Sequence, residues 1–191
     1  MTRPATIDAA QAEADTQRWL ERAVIGLNLC PFAKAVHVKA QIHYAVYEPA
    51  EEADLMDALL AQAKDLAALD AAVRDTTLLI APNTLADFLD FNDFTARAER
   101  RLARAGFDGV FQLASFHPQF QFAGTEADDI GNATNRAPYP TLHLLREDSV
   151  SRAVEAFPEA EAIFERNIDT LEALGPDGWA ALDVGPGSAR P

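Results

Sequence analysis

Apolar positions first recur at three- and four-residue spacing in Trp19, Leu20, Ala23, Val24 and Leu27, with Arg18, Glu21 and Arg22 off that stripe. The pattern predicts an amphipathic helix that ends near Leu29, because Pro31 disfavours the α conformation at Cys30. Residues 1–6 carry no period and read as disordered. Residues 38–47, VKAQIHYAVY, alternate apolar with polar and include β-branched and aromatic members, as a half-buried strand does. Over 51–69 acids open a second amphipathic helix whose apolar face is Leu55, Leu59, Leu60, Ala63, Leu66 and Ala67. TTLLIAP, 76–82, is a short apolar run that predicts a strand buried on both faces. Thr84 is the expected cap of the next helix, with Asp87 three residues on, Phe88, Phe91, Ala98 and Leu102 on its buried face, and Gly106 as its stop. GVFQLASF, 109–116, and TLHLLR, 141–146, read as further strands. Helices are expected over 149–156 and 158–173, with Pro158 in a first turn and Gly175 as a stop.

The order strand, helix, strand, helix, strand defines an α/β class: a single-domain layered fold with a mixed, mostly parallel four-stranded sheet flanked by helices. Right-handed crossovers would set the first three strands parallel, and the fourth would add antiparallel. A ferredoxin-like arrangement would instead want a hairpin between the second and third strands. The domain is read as 7–174, with a C-terminal tail over 175–191.

A chain of 191 residues, 49% hydrophobic, can bury a core without disulfides or a structural metal. Its 30 acids against 16 Lys and Arg give a formal charge of −14, and no basic run or stripe interrupts them. Nucleic acid and anionic membrane are therefore poor partners. No apolar run approaches the roughly 18 residues of a membrane span, and the N-terminus lacks the apolar core of a secretory signal. The single cysteine forms no intramolecular disulfide and fits a reducing compartment, so a cytoplasmic location is expected.

Charge and composition leave the chemistry to a few residues, several of them in 117–140, HPQFQFAGTEADDIGNATNRAPYP. Loops this long inside compact domains are usually functional or disordered, and the aromatic content favours function. In a parallel sheet this loop leaves the C-terminal edge, where open α/β sheets bind ligands, and His117 shares that rim with Asn83. Arg136 offers a planar fork for an anionic group, with Asn132, Asn135 and Tyr139 beside it. Its structural alternative is an ion pair with Glu126, Asp128 or Asp129 that pins the loop. A cis Tyr139–Pro140 bond would shape the loop further. The three acids lack the spacing of a calcium loop, and Cys30, His37, His117 and His143 form no CxxC or HxxxH pair, so no metal is assigned. No cofactor is assigned either, since GxxxxGK[ST] and GxGxxG are absent; GxSxG is absent too.

GLNLCPFAKAVH, 26–37, holds the one cysteine. If Pro31 opens a short helix, Cys30 sits at its N-cap, where the helix dipole favours a thiolate. As a core residue among Leu29, Phe32 and Ala33 it would instead act as a small hydrophobe. The enzyme reading sets Cys30 as nucleophile, His117 as base and Arg136 on an anionic substrate, which suits acyl or amide transfer or hydrolysis. The alternative is a non-catalytic protein whose 117–140 loop binds an anionic metabolite. A third reading, an interaction module anchored by Phe120, Phe122 and Tyr139, requires an exposed aromatic patch.

Three stretches in order, LNLCPFA, SFHPQFQFAG and NRAPYPTLHLLRED, resemble the signature blocks of the bacterial domain of unknown function 1415 family, over about Trp19 to Leu174. The resemblance implies a bacterial cytosolic protein and supplies no catalytic residue.

Overall fold

A computed structural model describes residues 6–156 and 162–187. The elements are α1 (Ala9–Trp19), α2 (Ala33–Val38), β1 (Ile42–Val46), α3 (Leu55–Ala68), β2 (Thr76–Ile80), α4 (Phe88–Leu102), β3 (Phe111–Phe116), β4 (Thr141–Arg146), α5 (Glu147–Ala156) and α6 (Ile163–Ala181). Asp8 caps α1 by accepting from the Gln11 N–H at 2.8 Å. The helical path continues through a π-helical turn, Leu20–Ile25, and stops before Leu29 because Asn28 adopts a left-handed φ of 54°. β1 is shorter than the alternation over 38–47 implies: Val38 ends α2 and Ala40, at φ 54°, turns the chain before pairing begins. The cap of α4 is Asp87, whose carboxylate accepts from the N–H groups of Leu89 and Asp90, and not Thr84; Leu85 at φ 54° moves the start downstream.

The sheet order is β1-β2-β4-β3. β1 and β2 pair parallel, and β4 pairs antiparallel with both β2 and β3. The first three strands therefore share a direction, as expected. The sheet is nevertheless not mostly parallel, because β4 lies between β2 and β3 and leaves one parallel pair against two antiparallel ones. An antiparallel return needs no helical crossover, so the chain from β3 comes back beside it after an irregular excursion. Helix α4, and no hairpin, joins β2 to β3, which removes the ferredoxin-like arrangement.

Strand alternation divides the core. Ala45, Leu79, Leu113, Leu142 and Leu144 face Leu55, Leu59, Phe91 and Phe94 of α3 and α4. On the other side, Ile42, Tyr44 and Phe116 join the cluster of Trp19, Ala23 and Cys30, while Leu78 and Ile80 pack with Ala12 and Tyr139. A smaller cluster joins Leu29, Ala133 of the loop and Leu171 of α6.

Gly175, at φ 68°, interrupts α6 as its sequence position implied, but Pro176 starts a further helical segment that runs to Ala181. The stretch read as a tail is also packed beyond it. Val184 is buried, and Arg18 donates to the carbonyls of Asp183 and Gly185 at 2.9 Å each. Pro158 and residues 1–5 lie outside the described residues. The Tyr139–Pro140 bond is trans, since no peptide bond among the described residues is cis. No helix among them is long and apolar enough to cross a membrane.

Candidate functional site

Val46, Ile80, Thr141 and Phe116 align in one row across the sheet. The C-terminal ends of β1, β2 and β3 thus meet both ends of the 117–140 loop at a single edge. Inside the loop a 3-10 helix, Ile130–Asn135, is capped by Asp129, which accepts from the Gly131 N–H at 2.8 Å.

His117 extends the inward face of β3 toward α4 and is fully buried, with the rings of Phe88 and Phe91 at 5.5 and 5.1 Å. Its Nδ1 accepts from the Gln119 N–H at 3.0 Å, so Nε2 carries the proton and donates to the Leu85 carbonyl at 3.0 Å. Burial pushes the imidazole below its ordinary range, against the opposing pull of the Leu85 carbonyl and Asp87. Both nitrogens are spent on backbone.

Cys30 packs on the other side of the sheet, in the Trp19 cluster. Phe32, and not Cys30, stands in the cap position of α2. Burial holds the thiol above its ordinary pKa, although hydrogen bonds from the backbone of Phe32 and Ala33 pull the other way. The sheet separates Cys30 from His117, so the two are not brought together as nucleophile and base. The physical reason is parity: residues 113, 115 and 117 project to the α4 side, whereas Phe116 projects to the Cys30 side.

The neutral donors expected around a ligand also serve the fold. Asn83 accepts from the Ile7 N–H and donates to the carbonyls of Ile7 and Glu48, all at 2.8 Å, tying the N-terminal segment to the end of β1. Asn132 is fully buried; its Oδ1 accepts from the Phe122 N–H and the Thr125 hydroxyl, and its Nδ2 donates to the Glu126 carbonyl. Asn135 donates to the Ser115 carbonyl at 3.2 Å, while its own carbonyl accepts from the His117 N–H. Tyr139 is buried and donates its hydroxyl to Asp15 Oδ2 at 2.6 Å. It therefore joins no exposed aromatic patch with Phe120 and Phe122, whose rings stack edge-on at 4.9 Å.

Arg136 differs from these residues. Its Nε donates to the Phe120 carbonyl at 3.2 Å and its Nη2 to the Ala127 carbonyl at 2.6 Å. Ion pairing with Glu126, Asp128 or Asp129 is not what pins the loop: among the described residues no carboxylate lies within 4.0 Å of the guanidinium. Asp129 is committed to its cap and acts on Arg136 only through its field, while burial pulls the guanidinium below its usual pKa. A guanidinium carries five N–H bonds, and two are accounted for here. The end-on edge, formed by Nη1 and the second Nη2 hydrogen, has no protein acceptor among the described residues.

Sequence reasoning missed Asp15, which is fully buried and accepts from Gln11 Nε2 at 2.9 Å, Arg18 Nη2 at 2.7 Å, the Tyr139 hydroxyl at 2.6 Å and the Gly187 N–H at 2.9 Å. The signal was present: Asp15 falls three residues after Ala12 and four before Trp19, on the buried face of α1. Among the described residues no group of three or more His, Cys, Asp or Glu is placed to hold a metal.

No curated protein and no solved structure matches the chain. The family model described as protein of unknown function (DUF1415) matches residues 11–181. That span holds the whole sheet and every site residue discussed above, and the chain belongs to the DUF1415 family.

Proposed function

We propose that the protein binds an anionic small molecule without transforming it, and that Arg136 grips a carboxylate of that ligand end-on. The observation that carries the reading is a half-buried guanidinium with two N–H bonds on backbone carbonyls and no carboxylate partner among the described residues. Two parallel N–H bonds on its open edge match the two oxygens of a carboxylate. The carbonyls of Phe120 and Ala127 hold the fork in place, and a pre-organised donor loses less freedom on binding. In a chain of formal charge −14, a cation with no carboxylate partner among the described residues is also the natural complement of an anion. The lone cysteine supports a reducing, cytoplasmic setting, and the resemblance of the three sequence blocks supports a bacterial one.

The test is a thermal-shift screen of small carboxylates on wild type and Arg136→Lys, each read against its own ligand-free baseline. A ligand at a hundred times its Kd stabilises by about 2.7 kcal/mol. Lysine keeps the charge and loses the fork, so its shift should be smaller for every carboxylate that stabilises wild type. Equal shifts in both proteins would remove Arg136 from the site.

A further inference from the structure

The sheet order puts β3 at an edge, with β4 on one side and no strand on the other. Its even-numbered residues bond to β4: the Glu147 N–H donates to the Val110 carbonyl at 3.0 Å, and the register carries that pairing on to Gln112 with Leu145 and Ala114 with His143. The odd-numbered residues turn their backbone groups outward. Near the end of the strand the 117–140 loop answers them, since Asn135 Nδ2 donates to the Ser115 carbonyl and the His117 N–H donates to the Asn135 carbonyl. Phe111 and Leu113 precede that cover, and no strand among the described residues pairs with their N–H and C=O groups. Native sheets guard such an edge with lysine, proline, a bulge or a covering segment. Neither lysine, proline nor a bulge interrupts 111–113.

A groove of about 370 Å³ lies beside this bare stretch, within the roughly 300–1,000 Å³ of ligand pockets. The strand itself forms one wall, and Glu99, Leu102 and Ala103 at the end of α4 form the other. Phe107 and Asp108 in the connecting turn complete it, with the Phe107 and Phe111 rings 5.4 Å apart. Phe111 and Leu113 belong to the inward row of β3, so their side chains project to the α4 side. In an antiparallel pair, the residue opposite an outward-bonding position exchanges both backbone bonds with it and shares its face. A strand laid on this edge would therefore bond through the same residues whose side chains enter the groove.

Charge narrows the occupant. The ionisable residues that line the groove are Glu99 and Asp108, both exposed carboxylates. Arg100, Arg101 and Arg104 occur in the same turns but do not line it. A groove of this sign on a chain of formal charge −14 favours a basic partner. A second copy of the chain is a poor match, because pairing about Leu113 would set the covered Ser115 opposite Phe111 and bring two such acidic grooves together.

We infer that β3 takes an extended basic segment of another protein as a fifth, antiparallel strand across 111–113. Alternate apolar side chains of the segment fill the groove, and Lys or Arg at its ends meet Glu99 and Asp108. Main-chain hydrogen bonds give such strand addition its affinity, and pockets for alternate side chains give its specificity. The surface shares no lining residue with the Arg136 loop, so the two readings stand or fall separately.

The experiment titrates a fluorescein-labelled, end-capped Lys-Leu-Thr-Leu-Lys peptide with the full chain and follows anisotropy. Saturable binding is expected. N-methylation of both leucine amides, which face β3, should weaken it about tenfold or more, as two lost hydrogen bonds imply, whereas N-methylation of the threonine amide should leave it nearly unchanged. Replacing both lysines of the peptide by glutamate should remove binding. On the protein, Ala103→Trp fills the groove from an exposed position and should abolish binding. Glu99→Gln combined with Asp108→Asn should weaken it severalfold, and decides if the tryptophan variant fails to fold. No saturable binding, equal binding of the glutamate peptide, or indifference to leucine N-methylation would overturn the inference. So would sedimentation showing that the chain self-associates and that Ala103→Trp dissociates it, since a second copy would then be the occupant.

Discussion

Arg18 and Arg136 both spend guanidinium N–H bonds on backbone carbonyls, Asp183 and Gly185 for the first, Phe120 and Ala127 for the second. They differ in their counter-charge. Arg18 also meets fully buried Asp15 at 2.7 Å, and Asp15 takes further donors from Gln11, Tyr139 and Gly187. That network closes on itself and joins α1, the end of the 117–140 loop and the C-terminal segment. Arg136 has the carbonyls without a carboxylate among the described residues. Arg146 stands between the two, caged by the carbonyls of Leu66, Leu69 and Arg74 with Asp75 at 4.0 Å. A buried arginine by itself therefore says little; whether its charge is answered inside the chain separates a clamp from a candidate binding group.

The largest effect expected from this contrast is at Asp15. Asp15→Ala strands Arg18 and leaves the Tyr139 hydroxyl and Gly187 N–H without their acceptor, and breaking a buried pair from one side costs about 3–5 kcal/mol. Urea unfolding measures it, and a loss below about 1 kcal/mol would erase the difference between the two arginines. Acid should act at the same place. Burial alone would push the Asp15 carboxyl up, but the hydrogen bonds from Gly187, Tyr139, Gln11 and Arg18 outweigh it and hold it below its ordinary range. Its contribution is therefore present above the unfolded value of about 3.9 and lost as pH falls through the lower folded value. Asp15→Asn should remove that acid limb from the stability profile.

A separate limb is expected at milder pH. Burial pushes His143 down to about 4, so it is neutral in the fold and protonates more readily when unfolded. Stability from this group is complete above about 6.5 and falls as pH drops toward about 4, by at most about 3 kcal/mol at 1.36 kcal/mol per unit. His143→Gln should flatten the profile there and leave the Asp15 limb in place. Were both limbs to vanish in that variant, the two groups would not be independent.

Without ligand, Arg136→Lys should cost about 1.5–3 kcal/mol, the worth of one hydrogen bond from a charged donor, since the ammonium can keep only one of the two carbonyl contacts, and less than Asp15→Ala by the same urea measurement. Cys30 should show the smallest change. Iodoacetamide should label it more slowly in the fold than in the unfolded chain, and His117→Ala should leave the pH dependence of labelling unchanged. A shift of that profile on removing His117 would mean that the sheet does not insulate the two groups.

Much of the fold was readable because strand and helix periods are local properties. TLHLLR became β4 at the expected bounds, and the run at 76–80 became the fully buried strand β2. Strand order was less legible, since nothing local to TLHLLR says that it inserts between β2 and β3. The boundaries that moved did so at non-glycine residues in left-handed backbone, Asn28, Ala40 and Leu85, which no apolar period marks. Of the proposed site, the loop and Arg136 were visible as residue types in an unusually long connection. The separation of Cys30 from His117 was not, because it depends on which face of the sheet each occupies. Asp15 was hidden by its type: an acid on a helix reads as solvated until its four donors, two of them more than a hundred residues away, are seen together.

The most direct test of the central claim is a crystal structure of the protein with the carboxylate that stabilises it most. The account expects the carboxylate oxygens at about 2.7–2.9 Å from Nη1 and Nη2 of Arg136, with the Phe120 and Ala127 contacts retained. A carboxylate bound elsewhere, with the outer edge of Arg136 still facing solvent, would contradict it.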